Sequence, residues 1–136
     1  MDFLKTMAIA ASGLRAQAGR MRIISENIAN ADSTPTIPGA QPYRRKIPSF
    51  QTEVDRSLDV KLVGLGRTRL DSSDFRVKYE PGNPAADKNG NVRYPNVNSL
   101  LEMSDMREAQ RSYEANINVI SATRRMLQRT IDILKA

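Results

Sequence analysis

The sequence predicts a mainly α-helical chain in which long N- and C-terminal helices pack as a coiled-coil-like pair around a small β element. Two observations carry this prediction: an apolar repeat at each end of the chain, and a middle with strand-like alternation and turn residues. The expected organisation is a discontinuous helical domain, residues 1–31 plus 99–136, joined by an extended strap, residues 32–49, and a β insertion, residues 50–98.

The N-terminal repeat advances in alternating four- and three-residue steps from Phe3 to Ile28, and Gln17 is its one polar member. This spacing is typical of a helix that packs along a seam. Gly13 and Gly19 lie beside the seam and favour close approach of a neighbour, although each costs up to about 1 kcal/mol of helix propensity. The helix is therefore expected to depend on partners for its stability.

The C-terminal repeat takes the same steps from Met103 to Leu134. Ser99 followed by Glu102 predicts an N-cap with a capping box, and the helix would then span roughly 50 Å. The two helices would pack parallel or antiparallel. Further apolar residues lie outside both seams and require additional neighbours, supplied by other copies or by the middle of the chain: Ile9, Ile23, Ala29, Leu101, Val119, Met126 and Ile133.

The strap begins where the helical pattern meets Pro35, Pro38 and Pro42. Proline spacing prevents a helix and keeps the backbone extended and stiff. We expect the end of the strap to contact neighbouring subunits, with its three cations reaching acidic groups there, unless they form a solvated basic patch. The predicted contact residues are Pro42, Tyr43, Arg44, Arg45 and Lys46.

The β insertion is predicted to hold two or three short strands, from alternation at residues 60–62 and 75–79 and from the Asn89–Gly90 turn signal. The glycine-rich GLGRTR segment lacks the spacing of a phosphate-binding loop. The DKNGN segment lacks the glutamate that completes a calcium loop, so it is interpreted as a turn.

Composition disfavours catalysis, because the chain contains no Cys and no His. We predict no enzyme activity, no cofactor and no metal site. The net charge of +6 is spread along the chain, whereas a nucleic-acid-binding module concentrates its cations on one face or tail. A basic helical nucleic-acid-binding protein, or a protein peripheral to a membrane, is the alternative function.

Four segments together resemble the flagellar axial proteins, and within them the proximal-rod type. They are AASGLRAQAGRMRIISENIANADST, PGAQPYRRK, YEPGNPAADKNGNVRYPNVN and the helix that contains EM and SYEAN. The resemblance spans nearly the whole chain. It implies a structural subunit of the bacterial basal-body rod, which polymerises helically into a hollow drive shaft that transmits torque and passes exported subunits.

The resemblance also implies partners and a location. The partners are copies of the chain, other proximal and distal rod proteins, the adaptor between the rod base and the MS ring, and the type III export apparatus, with no nucleic acid and no direct membrane insertion. The rod lies in the periplasm, and the chain is expected to leave the cytoplasm without a cleaved signal peptide. Its terminal helices are expected to order on assembly.

We expect the two apolar repeats to supply the assembly interface. Its predicted residues are Phe3, Met7, Leu14, Met21, Ile24, Ile28, Met103, Met106, Tyr113, Ile117, Ile120, Leu127, Ile131 and Leu134.

Overall fold

The computed structural model describes residues 2–136. Its elements in chain order are α1 Phe3–Ala29, β1 Lys46–Ile47, β2 Phe50–Asp55, β3 Val60–Leu65, β4 Arg69–Leu70, β5 Arg76–Tyr79, β6 Asn91–Tyr94 and α2 Ser99–Lys135. With 27 residues in α1 and 37 in α2, nearly half of the chain is helical. The predicted long terminal helices and small β elements are confirmed, although helices make up just under half of the chain.

The strands pair only in twos, all antiparallel: β1 with β4, β2 with β3, and β5 with β6. The sequence predicted two or three strands, and the structure has six among the described residues. The two-residue strands β1 and β4 carry too little alternation to be recognised from sequence. By contrast, β3, β5 and β6 fall where the alternation placed them, and Gly90 adopts a φ of 82° in the predicted turn.

The chain divides into two compact units. The first contains the chain up to Met21, Ser49–Arg67 and Arg107–Ala136. In it α1 and α2 run antiparallel, since Gly13 faces Asn116 and Arg20 forms a 3.6 Å ion pair with Glu108. A Cβ added to Gly13 would lie 2.8 Å from the Asn116 side chain, so glycine permits this close approach.

The β2–β3 hairpin also packs on α1 within the first unit. The Ser12 hydroxyl donates to the carbonyl of Ile9 at 2.7 Å and accepts the backbone N–H of Val63 at 3.2 Å. Gly19 faces Leu65 closely enough that an added Cβ would lie 2.9 Å from the leucine side chain. The small residues predicted to admit neighbours therefore admit one helix and one strand of the same chain.

The second unit contains Arg22–Pro48 and Thr68–Met106. Ala85, Val92 and Tyr94 form its buried apolar cluster on the β5–β6 hairpin. In this unit the last turns of α1 and the first turns of α2 are again antiparallel neighbours, because the buried side chains of Asn27 and Glu102 are hydrogen-bonded.

The start of α2 differs from the prediction. The Asn98 side chain accepts the backbone N–H groups of Leu100 at 3.1 Å and Leu101 at 3.4 Å, so Asn98, not Ser99, is the N-cap. The predicted capping box is therefore wrong. Glu102 instead points into the second unit and is 1% exposed. No helix in residues 2–136 is long and apolar enough to cross a membrane.

Candidate functional site

Asn27 is the centre of a polar cluster, which we call the strap network, formed by Asn27, Tyr43, Arg45, Lys46 and Glu102. The Asn27 amide donates to the Lys46 carbonyl at 2.8 Å and to a Glu102 carboxylate oxygen at 3.1 Å. Its oxygen accepts the Tyr43 hydroxyl at 2.8 Å and the Lys46 N–H at 2.9 Å. An asparagine side chain has two donor hydrogens and two acceptor lone pairs, so every hydrogen-bonding position of this fully buried residue is used.

Because Asn27 bonds both backbone groups of Lys46, its side chain acts on the strap as a neighbouring strand would. The side-chain amide of Asn96 holds the preceding strap residue, Arg45. The Asn96 oxygen accepts the backbone N–H of Arg45 at 2.8 Å, and its nitrogen donates to the Asp71 carbonyl at 3.1 Å. The strap is thus hydrogen-bonded to α1 on one side and to the chain before α2 on the other.

Glu102 and Arg45 form the charged part of the strap network. The Arg45 guanidinium donates to Glu102 and to Asp71, which lies 3.4 Å away. Burial disfavours the charge on Arg45, but the hydrogen bond and charge of Glu102, and then those of Asp71, outweigh it and raise the pKa of Arg45 above its usual value. Glu102 is almost fully buried, so removing either partner would leave a poorly solvated charge.

The remaining strap cations also have partners in the chain. Lys46 forms a 2.8 Å ion pair with Glu26, and the hydrogen bond and charge of Lys46 hold the pKa of Glu26 below its usual value. Arg44 donates to the Asp71 carbonyl at 2.8 Å and lies over the Phe75 ring, 4.2 Å from its centroid. Arg45 and Lys46 therefore join the strap to the helices, and Arg44 joins it to residues 71–75.

The second candidate feature is the outer part of α2, residues 124–135, where every residue is exposed. Extending the antiparallel pairing of Gly13 with Asn116 places the start of α1 near residue 126 of α2. Later residues of α2 therefore have no turn of α1 beside them. The exposed apolar side chains there are Met126, Leu127, Ile131, Ile133 and Leu134.

The residues that the structure describes include no group of three or more acidic, Cys or His side chains able to hold a metal. Within the strap network Glu102 accepts hydrogen bonds from Asn27 and Arg45, and the Lys46 ammonium donates to Glu26 outside it.

Comparison with known proteins identifies the family. The model described as flagella basal body rod protein matches residues 7–36, and the model of the C-terminal region of flagellar basal body rod FlgEFG proteins matches residues 88–133. The chain is 56% identical over 128 residues to the flagellar basal-body rod protein FlgC of Agrobacterium fabrum, covering 94% of this chain and 92% of that relative.

More distant relatives carry the same description. The Salmonella typhimurium protein is 38% identical over 133 residues, covering 98% of both chains. The Bacillus subtilis protein is 36% identical over 150 residues, covering 99% of this chain and all of that relative. The chain belongs to the FlgC family of flagellar basal-body rod proteins. As a member of the FlgC family it is a structural rod protein of the basal body, not an enzyme, as the sequence predicted.

The matched segments coincide with the helical ends of this FlgC-family chain. One contains most of α1 with Asn27, and the other contains most of α2 with Glu102. The strap cations and the β2–β3 hairpin lie between the two matched segments. The strap network therefore joins the two regions that rod proteins share to a region that the family models leave out.

The structure separates the predicted interface residues by burial. Ile24 is buried inside the chain, at 2% exposure. The half-buried ones are Phe3, Met7, Leu14, Met21, Ile28, Met106, Tyr113 and Ile120. The exposed ones are Met103, Ile117, Leu127, Ile131 and Leu134. Four of the five exposed residues therefore lie on α2 within the first unit, and these are available to a neighbour.

Sequence reasoning missed the residues that hold the strap. Asn27 lies next to Ile28 of the apolar repeat, and Glu102 fitted a capping box. No local pattern shows that two polar side chains 75 positions apart are hydrogen-bonded. The sequence did contain one usable signal. Asn27 is polar and lies one residue from the seam, on the side of α1 that would otherwise bury apolar groups, and such a residue indicates a buried hydrogen-bond partner.

Proposed function

We propose that this FlgC-family chain polymerises helically with copies of itself and with other rod proteins into a hollow shaft. The rod lies in the periplasm, transmits torque and passes exported subunits along its centre. Its further partners are other proximal and distal rod proteins, the adaptor between the rod base and the MS ring, and the type III export apparatus. Family membership supports the rod assignment, and the exposed apolar face of α2 supports polymerisation.

The exposed face of α2 is the observation that carries this proposal. Leu127, Ile131 and Leu134 recur at coiled-coil spacing on a stretch of α2 that has no turn of α1 beside it. Burying one such side chain contributes roughly 1.5–3 kcal/mol. Several of them, buried between subunits, offset the entropy cost of fixing a helix end. The terminal helices accordingly become fully ordered in the assembled rod.

The strap network has a mechanical role in this proposal. Its hydrogen bonds join α1, the strap and α2, so a load applied to one helix is shared by the other two segments. Because the cations of the strap have partners inside the chain, the strap contacts neighbouring subunits through its exposed residues 36–39. The discontinuous helical domain polymerises near the axis, and the strap and β insertion brace it.

We also infer that the chain is exported without a cleaved signal peptide. The apolar residues that follow Lys5 belong to α1, which continues to Ala29. Within them Ala10 is buried. These residues therefore serve the folded chain, which supports their retention after export.

The test of polymerisation is a triple variant, Leu127→Ser, Ile131→Ser and Leu134→Ser, expressed in a flagellated bacterium whose own copy is deleted. We expect the variant to be made but absent from isolated basal bodies, and the cells to be non-motile. The matched control is Arg125→Ser with Arg129→Ser, two exposed residues on the opposite side of the same helix turns. Normal incorporation of the triple variant would contradict the proposal.

A further inference from the structure

The β2–β3 hairpin has two edges, and they differ. The N–H of Gly66 donates to the carbonyl of Ser49 at 2.7 Å, so residues 49 and 66 form a hydrogen-bonded pair. Hydrogen-bonded and non-hydrogen-bonded pairs alternate along an antiparallel ladder. The register then makes Phe50, Thr52 and Val54 the residues of β2 whose backbone groups point away from β3.

The edge of β3 is closed by α1, because the outward N–H of Val63 donates to Ser12. The edge of β2 is open. Among residues 2–136 no group accepts an outward N–H of β2 or donates to an outward carbonyl. β2 has six residues, an unbroken register and neither Pro nor Lys. Of the devices by which proteins protect a free strand edge from pairing, β2 has only the charges of Glu53 and Asp55.

A second open edge lies on the segment Arg67–Leu70. The N–H of Asp71 donates to the carbonyl of Arg45 at 2.9 Å, so the alternation directs the backbone groups of Leu70 away from β1. The same alternation directs those of Thr68 outward. Neither residue has a backbone hydrogen bond on that side within the described chain, and the whole segment is exposed.

The two open edges have opposite charge. β2 carries Glu53 and Asp55 and no cation, whereas the second edge carries Arg67 and Arg69. Pairing β2 with β2 of another copy would align four carboxylates along one seam, and like charges across strands are destabilising. The acidic edge is therefore suited to the basic edge and not to itself.

We propose that β2 of one copy pairs antiparallel with Arg67–Leu70 of a second copy of this chain. With Thr52 opposite Thr68 and Phe50 opposite Leu70, outward backbone groups meet in two hydrogen-bonded pairs. Phe50 and Leu70 are 46% and 62% exposed in the single chain and come to lie against each other. Each exposed side chain thus gains an apolar neighbour.

The same register brings the charges together, with Glu53 opposite Arg67. Because the two edges are different surfaces, each copy keeps one edge free after pairing with its neighbour. Such a head-to-tail contact generates an open helical array rather than a closed dimer. The inference rests on the proposed polymerisation and names one contact that carries it between copies.

Cysteine cross-linking tests the contact, because the chain has no cysteine of its own. Thr52→Cys and a tagged Thr68→Cys chain are expressed together in a flagellated bacterium whose own copy is deleted, and isolated basal bodies are oxidised. The Cα atoms of a hydrogen-bonded pair lie about 5.5 Å apart, within the Cα range of a disulfide. Because the Cβ atoms of such a pair lie slightly farther apart than a disulfide prefers, a short bifunctional thiol-reactive cross-linker is used in parallel. We expect a heterodimer of one tagged and one untagged chain. The control, Ser57→Cys at the hairpin tip with Thr68→Cys, should give none.

The outcomes separate this contact from the proposed function. Basal bodies that contain both variants yet yield no heterodimer overturn the edge pairing and leave the rod assignment intact. Homodimers of Thr52→Cys alone, at the same yield, overturn it in favour of symmetric pairing of β2. If the wild-type chain does not enter basal bodies, the proposed function fails.

Charge reversal gives a second readout. Glu53→Arg on the Thr52→Cys chain should lower the heterodimer yield about two- to fivefold. Arg67→Glu on the Thr68→Cys chain should restore the yield. An undiminished yield with Glu53→Arg, or no restoration by Arg67→Glu, would contradict the assigned register.

Discussion

The strap network and the outer part of α2 are opposite in the side chains that they bury and expose. At the centre of the strap network two polar side chains are buried and hydrogen-bonded within one chain: Asn27 is 0% and Glu102 1% exposed. On the outer part of α2 apolar side chains lie in solvent, with Leu134 at 81% exposure. The polar groups of the strap network have hydrogen-bond partners within the chain. The apolar side chains on the outer part of α2 remain in contact with water. The proposed function thus assigns stability of the single chain and assembly with neighbours to different residues.

This separation has a physical reason. Buried hydrogen bonds and ion pairs require defined geometry, so they fix one register of strap and helices. Apolar burial is non-directional and accepts several partners. A chain that contacts copies and other rod proteins therefore benefits from a polar, specific interior and an apolar exterior. The comparison would be wrong if substitutions in the strap network left the single chain stable, or if substitutions on the outer part of α2 destabilised it.

The largest loss is expected from Glu102→Ala. It leaves Arg45 without its closest partner and removes one acceptor from the buried Asn27. Breaking a buried ion pair from one side typically costs several kcal/mol. Because Arg45 retains Asp71 and some solvent contact, we expect the free energy of unfolding to fall by about 3 kcal/mol, measured by urea denaturation.

The control is Glu108→Ala, which removes the exposed partner of Arg20 and should cost under about 1 kcal/mol. Equal losses would show that burial of the network is unimportant.

A somewhat smaller loss is expected from Asn27→Ala. The substitution leaves the N–H and carbonyl of Lys46 without their partner in the chain and removes the acceptor of Tyr43. Each unsatisfied buried group costs about 1–3 kcal/mol, and water that enters the vacated space recovers part of it. We expect a net loss of about 2 kcal/mol, with faster hydrogen exchange at Lys46. The matched control is Asn118→Ala, at an exposed position of α2, which should change the free energy of unfolding little.

A still smaller loss of unfolding free energy is expected at acidic pH. The pKa of Glu26 is lowered by its hydrogen bond to and the charge of Lys46, and the pKa of Asp71 by hydrogen bonds from Ser73 and then by Arg45. A carboxyl whose pKa is lower when folded stabilises the fold above its unfolded pKa. That stabilisation is lost as the pH falls through the folded value. Unfolding free energy should therefore decline below about pH 4.5. Glu26→Gln should flatten the decline, whereas Glu114→Gln should not; an unchanged slope in Glu26→Gln would contradict the assignment.

Sequence reasoning succeeded where the signal is periodic. The four- and three-residue steps placed α1 and α2, and alternation with Asn89–Gly90 placed the β5–β6 hairpin. It failed where the deciding contact is distant in sequence. The cap moved to Asn98 because asparagine and serine cap equally well, and that assignment freed Glu102 for a contact that no local pattern encodes. The two-residue strands lie below the length at which alternation is informative.

The smallest change in the free energy of unfolding is expected from substitutions on the outer part of α2. Leu127→Ser, Ile131→Ser and Leu134→Ser together should leave the free energy of unfolding of the purified chain within about 0.5 kcal/mol of wild type, because surface substitutions away from packed features cost little. The same triple variant is expected to be absent from basal bodies. Calorimetry of the monomer checks the first statement, and Glu102→Ala supplies the contrasting case. A large loss of monomer stability would show that the outer part of α2 already packs within the single chain, and its exposed face would then no longer be available to a neighbouring subunit.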